Sequence, residues 1–263
     1  MKLKWMIPLI ATSVLAGCSQ LEGTQQISDS STKESVQSEA ASSSSEMTKE
    51  EKEHQEMLAE LPDVSTSDWN LILVNNWTPI DKDTEKGIPL KEVEEGKQMD
   101  ERIVDAYQTW MKDAAKAGYS VYLASAYRSI SHQETNYNNK IKHYMNEGYS
   151  KEEAVQRTED YIAIPGGSEH HTGLALDMVD IDWINAGHGL DPEYDTQESQ
   201  QWLVSTMADH GFILRFPKDK EKETGIKYES WHFRYVGKEN AKYIEKHQLS
   251  LEEYIDLLKE AGK

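Results

Sequence analysis

The amino-acid sequence predicts an α+β fold in which helices pack on a small, mainly antiparallel sheet. Short apolar or alternating stretches, which are typical of strands, occur at 69–75, 119–129, 174–180, 212–216 and 228–236. Longer segments between them repeat their apolar residues at helical spacing. The sequence shows no internal repeat and no phosphate-binding glycine loop.

The composition indicates one folded domain of strongly acidic character. With 263 residues, of which 37% are hydrophobic, the chain can form one sizeable core. Its 28 Lys and Arg against 47 Asp and Glu give a formal net charge of -19. This charge would repel nucleic-acid phosphates. We therefore expect no nucleic-acid partner. We also expect a monomer outside the cytoplasm, and its acidic surface would keep it soluble.

The start of the chain has the pattern of a bacterial lipoprotein signal. A basic start, MKLK, precedes WMIPLIATSVLA, which is shorter than the ~20 residues that a membrane-spanning helix needs. The end of this stretch with the next two residues, Leu15-Ala16-Gly17-Cys18, resembles a lipobox. The resemblance implies cleavage of residues 1–17 and lipidation of Cys18, which would anchor the protein to the outer face of the cytoplasmic membrane. The alternative is an ordinary secretory signal with an incidental cysteine.

Residues 18–47 are rich in Ser, Gln, Glu and Thr, and they predict a disordered tether because their few apolar residues cannot form a core. A coil of about 30 residues spans roughly 30 Å on average. The folded domain is predicted at 48–263, and it begins with a helix whose capping box is Thr48 and Glu51. Since Cys18 is the only cysteine, the domain has no disulfide and no thiolate ligand.

Further segments of the domain are predicted to be helical: 100–118, 131–148, 150–162 and 197–211. Gly118 stops the first of them, and Ser150 with Glu153 forms a capping box for the third. Two short helices are expected at the end of the chain. The acidic segment 83–96 is expected to be solvated surface loop.

Two short motifs supply the residue types of a catalytic zinc site. Such a site uses three protein ligands, usually His nitrogens with or without a carboxylate, and leaves a position for water. The stretch GGSEHHTGLALD supplies His170 and Asp177, and ESWHFR supplies Glu229 and His232. An unligated carboxylate could accept a proton from the water, which is the chemistry of peptide hydrolysis. Taken alone, each motif is more often a hydrogen-bonded or structural pair than a metal site.

Three sequence elements follow one another in the domain. The first, S-x-Y-R-S with a glutamine four residues later, is Ser125, Tyr127, Arg128, Ser129 and Gln133. The second, S-x-H-x-x-G-x-A-x-D, is Ser168, His170, Gly173, Ala175 and Asp177. The third, E-x-W-H, is Glu229, Trp231 and His232. In this order they resemble the VanY-type D-alanyl-D-alanine carboxypeptidases and the related L,D-carboxypeptidases that trim peptidoglycan, over about residues 69–255.

The resemblance implies a metal centre and a catalytic base. Zinc would be held by His170, Asp177 and His232, and Glu229 would act as the general base. Arg128 would face the scissile carbonyl oxygen and stabilise the oxyanion with a charge that does not titrate away.

The resemblance also implies substrate contacts. Ser168 and Gln133 would hydrogen-bond the terminal D-Ala of the substrate. Ser125 and Tyr127 belong to the same substrate-binding element.

Three neighbours of the motif residues are expected to have other roles. Adjacent residues of an extended chain point to opposite sides, so one of His170 and His171 faces the metal, and the family spacing selects His170. His171 is then expected to lie behind the metal ligands or at the surface. The base and the histidine of the third element are three residues apart, so the backbone must bend near Ser230. Arg234 is expected to form a structural ion pair.

The sequence thus predicts a membrane-tethered zinc carboxypeptidase outside the cytoplasm that releases the C-terminal D-alanine from peptidoglycan stem pentapeptides. An L,D-carboxypeptidase acting on tetrapeptide stems is the alternative within the same chemistry. Alternatives of other classes are a wall-binding lipoprotein that holds zinc without turnover and a solute-capture lipoprotein. The complete set of ligands and base disfavours the first of these, and the length of the domain disfavours the second.

Overall fold

The structure is a computed structural model that describes residues 47–263. The signal peptide predicted at 1–17, the predicted lipidation of Cys18 and the part of the predicted tether up to residue 46 lie outside this range. Among the described residues, no helix combines the length and the apolar character needed to cross a membrane.

Two antiparallel sheets form the β part of the described residues. The larger sheet has four strands in the order β3 (Val121–Ser125), β4 (Ala175–Asp180), β6 (His232–Tyr235) and β5 (Phe212–Leu214). The smaller sheet is a hairpin of β1 (Leu90–Glu94) and β2 (Lys97–Asp100). The predicted α+β fold with a small antiparallel sheet is confirmed.

The helices of residues 47–263 are α1 (Lys49–Glu60), α2 (Lys82–Lys86), α3 (Val104–Ala117), α4 (Ile130–Asn146), α5 (Lys151–Glu159), α6 (Ile181–Asn185), α7 (Glu198–Thr206), α8 (Glu221–Thr224), α9 (Lys238–His247) and α10 (Leu251–Glu260). Short 3-10 helices occur at Glu101–Ile103, Glu169–Thr172, Pro192–Thr196 and Met207–His210. The predicted capping boxes are present at Thr48 and Ser150. Gly118 ends α3 in the left-handed conformation, as predicted.

Trp110 of α3 lies at the centre of the core between this helix and the larger sheet. Its ring stacks on Phe212 with the centroids 4.9 Å apart and meets Phe233 edge-on at 5.3 Å. Its indole N–H donates to Thr206 Oγ1 at 3.0 Å, so its polar atom is satisfied. Side chains alternate along a strand, so Phe233 of β6 faces this core while the preceding His232 faces the opposite side of the sheet.

The prediction of a strand at 69–75 is wrong. The segment joins no sheet and makes only an isolated bridge between Asn75 and Thr78. Its carbonyls at Asn70 and Ile72 accept hydrogen bonds from Arg234 Nη2, at 3.1 and 2.8 Å. Two carbonyls of this segment are therefore satisfied by a buried side chain instead of a neighbouring strand.

The segment 83–96 lies at the surface as predicted, since none of its residues is buried. The prediction that it is a loop is wrong, because it contains most of α2 and all of β1. The Asp81 side chain caps α2 by accepting hydrogen bonds from the N–H groups of Asp83 and Thr84. Gly96, with φ 72°, lies in the turn to β2. In β1, Val93 packs against the main core while the charged residues are exposed. The many charged residues on the exposed side of the hairpin are the reason why the sequence indicated a loop here.

Gly173 permits a tight passage from the Glu169–Thr172 turn into β4. Its φ of 67° is in the left-handed region, which glycine adopts without strain. A Cβ at this position would lie 2.7 Å from the backbone nitrogen of Asp100, which donates to the Gly173 carbonyl at 3.0 Å. Two backbone segments meet here with no room for a side chain, and this contact sets where His170 lies relative to β4.

We predict that Gly173→Ala lowers the free energy of unfolding by about 3 kcal/mol, because alanine adds a left-handed backbone penalty and a backbone clash. Gly96→Ala is the matched control, since Gly96 has a φ of 72° and nothing within 4 Å of an added Cβ. We expect the control to lose about 1 kcal/mol. Urea unfolding followed by circular dichroism measures both, and equal losses would contradict the clash.

Candidate metal centre

The strand register brings two of the predicted ligands together. Asp177 of β4 and His232 of β6 are directly paired residues of adjacent antiparallel strands. Both side chains are buried, and His232 Nδ1 lies 3.0 Å from Asp177 Oδ1. The pairing of the two strands therefore places an imidazole nitrogen beside a carboxylate on the side of the sheet away from Trp110.

The third predicted ligand comes from the 3-10 turn before β4. His170 Nε2 lies 3.2 Å from Asp177 Oδ2, and His170 Nδ1 lies 2.7 Å from the Ala126 carbonyl oxygen. A carbonyl can only accept a hydrogen bond, so Nδ1 carries the proton and Nε2 is left with a free lone pair. The turn and the hydrogen bond to the Ala126 carbonyl together orient His170 so that its Nε2 faces the Asp177 carboxylate.

The residues fit a zinc ion. Ligand atoms of His170, Asp177 and His232 all lie within 4.8 Å of one another. The buried Asp177 Oδ1 accepts no hydrogen bond within the described residues, and two imidazoles with one carboxylate are a donor set of catalytic zinc.

Glu229 lies beside the three ligands and is separated from them by a turn. Ser230 and Trp231 form this turn, so the bend predicted near Ser230 is present. Glu229 Oε2 lies 3.4 Å from His232 Nδ1, and its carboxyl group is buried. Burial raises the pKa of Glu229 to about 8, with the charge of His232 opposing this shift. A carboxyl group tuned in this way can both accept and return a proton near neutral pH.

Arg128 is held at the cleft by two of the predicted residues. Its Nη1 donates to Gln133 Oε1 and its Nη2 to Ser125 Oγ, both at 2.9 Å. Its Nη2 also lies 3.9 Å from Asp177 Oδ2. The guanidinium is thus fixed next to the metal-ligand group while part of it remains accessible from the cleft.

Ser168 and Gln133 line the cleft, whereas Ser125 and Tyr127 are not among its lining residues. The Tyr127 hydroxyl donates to Glu85 Oε1 at 2.8 Å, and the same carboxylate oxygen accepts from the Ile130 N–H at the start of α4. Substrate contact by Ser125 and Tyr127 stays a prediction. In the structure Ser125 holds Arg128, and Tyr127 holds the start of α4 through a glutamate that the sequence did not single out.

His171 lies outside the ligand group. Its Nε2 accepts from the Gly166 N–H at 3.2 Å, and its Nδ1 therefore donates to the Arg128 carbonyl at 2.6 Å. Burial lowers the pKa of His171, which favours this neutral form. His171 thus ties the segment that carries Arg128 to the loop that precedes the metal ligands.

A buried carboxylate that the sequence did not single out lies behind His232. Glu169 Oε1 accepts from Arg215 Nε at 2.7 Å and from Arg234 Nη1 at 2.6 Å. Its Oε2 lies 3.6 Å from His232 Nε2, and within residues 47–263 neither of these two atoms has a hydrogen-bond partner. The structural ion pair expected for Arg234 is present, and the Glu169 carboxylate lies behind the His232 ring, on the side away from Asp177.

The charges around Glu169 nearly balance. Arg215 also donates to both carboxylate oxygens of Glu252 on α10, at 2.8 and 2.6 Å. Burial alone would raise the pKa of Glu169, but the charges of Arg215 and Arg234 hold it well below its usual range. Two buried arginines therefore share two carboxylates, and α10 is linked to the metal centre through this network.

A cleft of about 580 Å³ contains the metal-ligand group and extends along α4 and α5. Glu229 and Arg128 line it beside the ligands. At the other end it is lined by Lys140 of α4 and Arg157 of α5. The arrangement can hold a peptide whose reacting bond lies between a metal, a base and a fixed guanidinium.

The chain is similar to known proteins over much of the described range. Residues 96–238 match the family model VanY, D-alanyl-D-alanine carboxypeptidase. A D-alanyl-D-alanine carboxypeptidase of Enterococcus faecalis is 36% identical over 190 residues, which are 72% of this chain and 66% of that protein. The match thus spans just under two thirds of that relative's length.

Solved structures of similar proteins include VanY from a VanB-type resistance cassette in complex with Zn(II). It is 34% identical, with a TM-score of 0.62 over 72% of this chain and 99% of the other. VanYB in complex with D-alanine-D-alanine is 34% identical, with a TM-score of 0.63 over 72% and 98% of the two chains. The LD-carboxypeptidase LdcB is 30% identical, with a TM-score of 0.60 over 72% and 86%.

We predict that Glu169→Ala lowers the free energy of unfolding by about 4 kcal/mol, because it leaves two buried guanidinium groups without their shared acceptor. Urea unfolding of the purified domain measures this loss. Asp209→Ala removes the partner of Lys242 from an exposed ion pair of 2.7 Å and is the control, with a midpoint near that of the wild type. A Glu169→Ala midpoint as high as that of the control would show that the buried network is dispensable.

Proposed function

This chain belongs to the VanY family of D-alanyl-D-alanine carboxypeptidases, and we propose that it is a zinc-dependent D,D-carboxypeptidase acting on peptidoglycan stem pentapeptides. It would release the C-terminal D-alanine from stems that end in D-Ala-D-Ala. The observation that carries the proposal is the convergence of His170, Asp177 and His232 within 4.8 Å, with Glu229 beside them. Similar proteins solved with Zn(II) and with D-alanine-D-alanine support it.

Zinc bound by the three ligands would supply a Lewis acid and lower the pKa of a water molecule in the site. Glu229 would accept the proton of the attacking water and pass it to the leaving amine. No side-chain nucleophile is needed for such a reaction.

Arg128 would bind the carbonyl oxygen of the scissile bond and stabilise the negative charge that develops on it. Its hydrogen bonds to Ser125 and Gln133 fix the guanidinium before substrate arrives. Ser168 lines the cleft next to the metal-ligand turn, where it can bond the terminal D-Ala. The amide of Gln133 already bonds Arg128 and, through Nε2 at 2.7 Å, the Ala163 carbonyl. Its role in the proposal is therefore mainly to position Arg128.

L,D-carboxypeptidase activity on tetrapeptide stems is the second candidate function. The similarity to the LD-carboxypeptidase LdcB, with a TM-score of 0.60, favours it. Purified protein is to be incubated with defined pentapeptide and tetrapeptide stems, and the products weighed by mass spectrometry. Loss of one alanine from the pentapeptide supports the D,D proposal, loss of one alanine from the tetrapeptide alone supports the L,D candidate, and intact stems contradict both.

We predict that Glu229→Gln keeps about one zinc per chain while kcat on the pentapeptide stem falls about 1,000-fold, because the base is lost and the ligands are not. Elemental analysis of the protein and a D-alanine release assay measure the two quantities. His232→Ala is the contrasting variant and should lose both zinc and activity. Full activity in Glu229→Gln, or a wild type that stays active after its zinc is removed by a chelator, would contradict the mechanism.

We further propose that the domain is tethered outside the cytoplasm by lipid on Cys18, on the basis of the Leu15-Ala16-Gly17-Cys18 pattern. Cys18→Ser should move the protein from the membrane fraction to the medium, with the specific activity of the purified domain unchanged. Immunoblots of fractions from cells expressing the full chain measure the distribution. Retention of Cys18→Ser at the membrane would contradict lipid anchoring at this residue.

A further inference from the structure

We propose that Lys140 and Arg157 form a subsite that binds a free carboxylate of the substrate, on the amino-terminal side of the scissile bond. This inference rests on the proposed function and adds to it a preference for acidic stems. Lys140 is half-buried on α4, Arg157 is exposed on α5, and both line the cleft that contains the metal ligands.

The charges of the cleft are separated along its length. Its lining carboxylates are Glu169, Asp177 and Glu229, and all three belong to the metal end. The α4 and α5 end is lined by the two cations and by uncharged residues. The chain has a net charge of -19, but this end of the cleft is positively charged and attracts anions.

Among the described residues, neither Lys140 nor Arg157 has a carboxylate oxygen within 4.0 Å. Other cations nearby are paired, as Lys227 is with Asp160 at 2.6 Å. Glu153 lies one turn before Arg157, but its carboxylate is held by the Ser150 capping box. The charge of both cleft cations therefore remains available to a ligand.

Aromatic rings support the two side chains. Lys140 Nζ lies 4.8 Å from the centroid of the Tyr144 ring, and Arg157 Cζ lies 4.0 Å from that of Tyr149. Such contacts restrict long side chains without neutralising their charge. The cations are therefore partly ordered before an anion binds.

The position of the subsite on α4 indicates which part of the substrate reaches it. Gln133, Asn136 and Lys140 line the cleft at helical spacing, and Gln133 contacts Arg128. Seven residues of helix place Lys140 about 10 Å beyond Gln133 along the axis. An extended peptide advances about 3.4 Å per residue. In a carboxypeptidase only one substrate residue follows the scissile bond. A substrate group that reaches beyond Asn136 therefore belongs to the residues that precede the scissile bond.

Two free carboxylates occur in this part of a stem peptide. Glutamate linked through its γ-carboxyl group keeps its α-carboxylate, and a diaminopimelate in the next position carries a second one. Both present the same chemistry to Lys140 and Arg157, and both are absent when the glutamate is amidated and the diamino acid is lysine. The two sources are therefore separated by the choice of stems.

The test compares three synthetic pentapeptides with the purified protein. The reference, L-Ala-D-isoGln-L-Lys-D-Ala-D-Ala, lacks both of these carboxylates. The second stem has γ-linked D-Glu in place of D-isoGln, and the third has meso-diaminopimelate in place of the lysine. We expect kcat/KM to be about fivefold higher for at least one acidic stem than for the reference, mainly through KM. The acidic stem with the higher kcat/KM identifies which of the two carboxylates binds at the subsite.

The double variant Lys140→Met with Arg157→Met should reduce the ratio of kcat/KM for the acidic stem to kcat/KM for the reference to about one. Lys142→Met is the matched control, because Lys142 is an exposed residue of α4 that does not line the cleft, and it should keep the wild-type ratio. Zinc content checks that the metal centre of each variant is intact. A wild-type ratio of one for both acidic stems, or an unchanged ratio in the double variant, overturns the inference. Failure of the wild type to cleave any stem would instead overturn the proposed function.

Discussion

The candidate metal centre depends on the register of two strands. Because Asp177 of β4 and His232 of β6 are directly paired, a shift of one residue would turn one of them towards Trp110 and destroy the site. The register is fixed by the apolar neighbours, since Leu176, Phe233 and Trp110 are buried in the same core cluster on the other side of the sheet. The packing that stabilises the domain is thus also the packing that brings the ligands together.

Behind this pair, a buried ionic network connects distant parts of the chain to the same histidine. Glu169 contacts Arg215 and Arg234, which are 46 and 65 positions away in sequence. Arg234 also satisfies the carbonyls of the extended segment near Ile72, and Arg215 reaches Glu252 of α10. Such a network adds little stability compared with apolar packing, but it is specific in geometry. Here it places a carboxylate oxygen of Glu169 3.6 Å from His232 Nε2.

The strands of the larger sheet could be predicted from the sequence, because alternation is a local property. The three candidate ligand residues were predicted from the resemblance of their motifs to a known family, since each motif alone indicates a metal site only weakly. The sequence did not reveal the role of Glu169, since an acidic residue in a sequence is normally exposed and its burial depends on partners far along the chain. The hairpin at 90–100 was missed because the charged side of β1 masked Val93. The strand predicted at 69–75 failed because its carbonyls bond an arginine, which apolar character alone does not indicate.

The most direct test of the central claim is an X-ray absorption spectrum of the zinc-loaded protein. The account predicts one zinc per chain with two imidazole nitrogens and oxygen ligands at about 2.0–2.1 Å, and one imidazole fewer in any zinc that His232→Ala still binds. A first shell without imidazole, or a spectrum that is the same in His232→Ala, would contradict it.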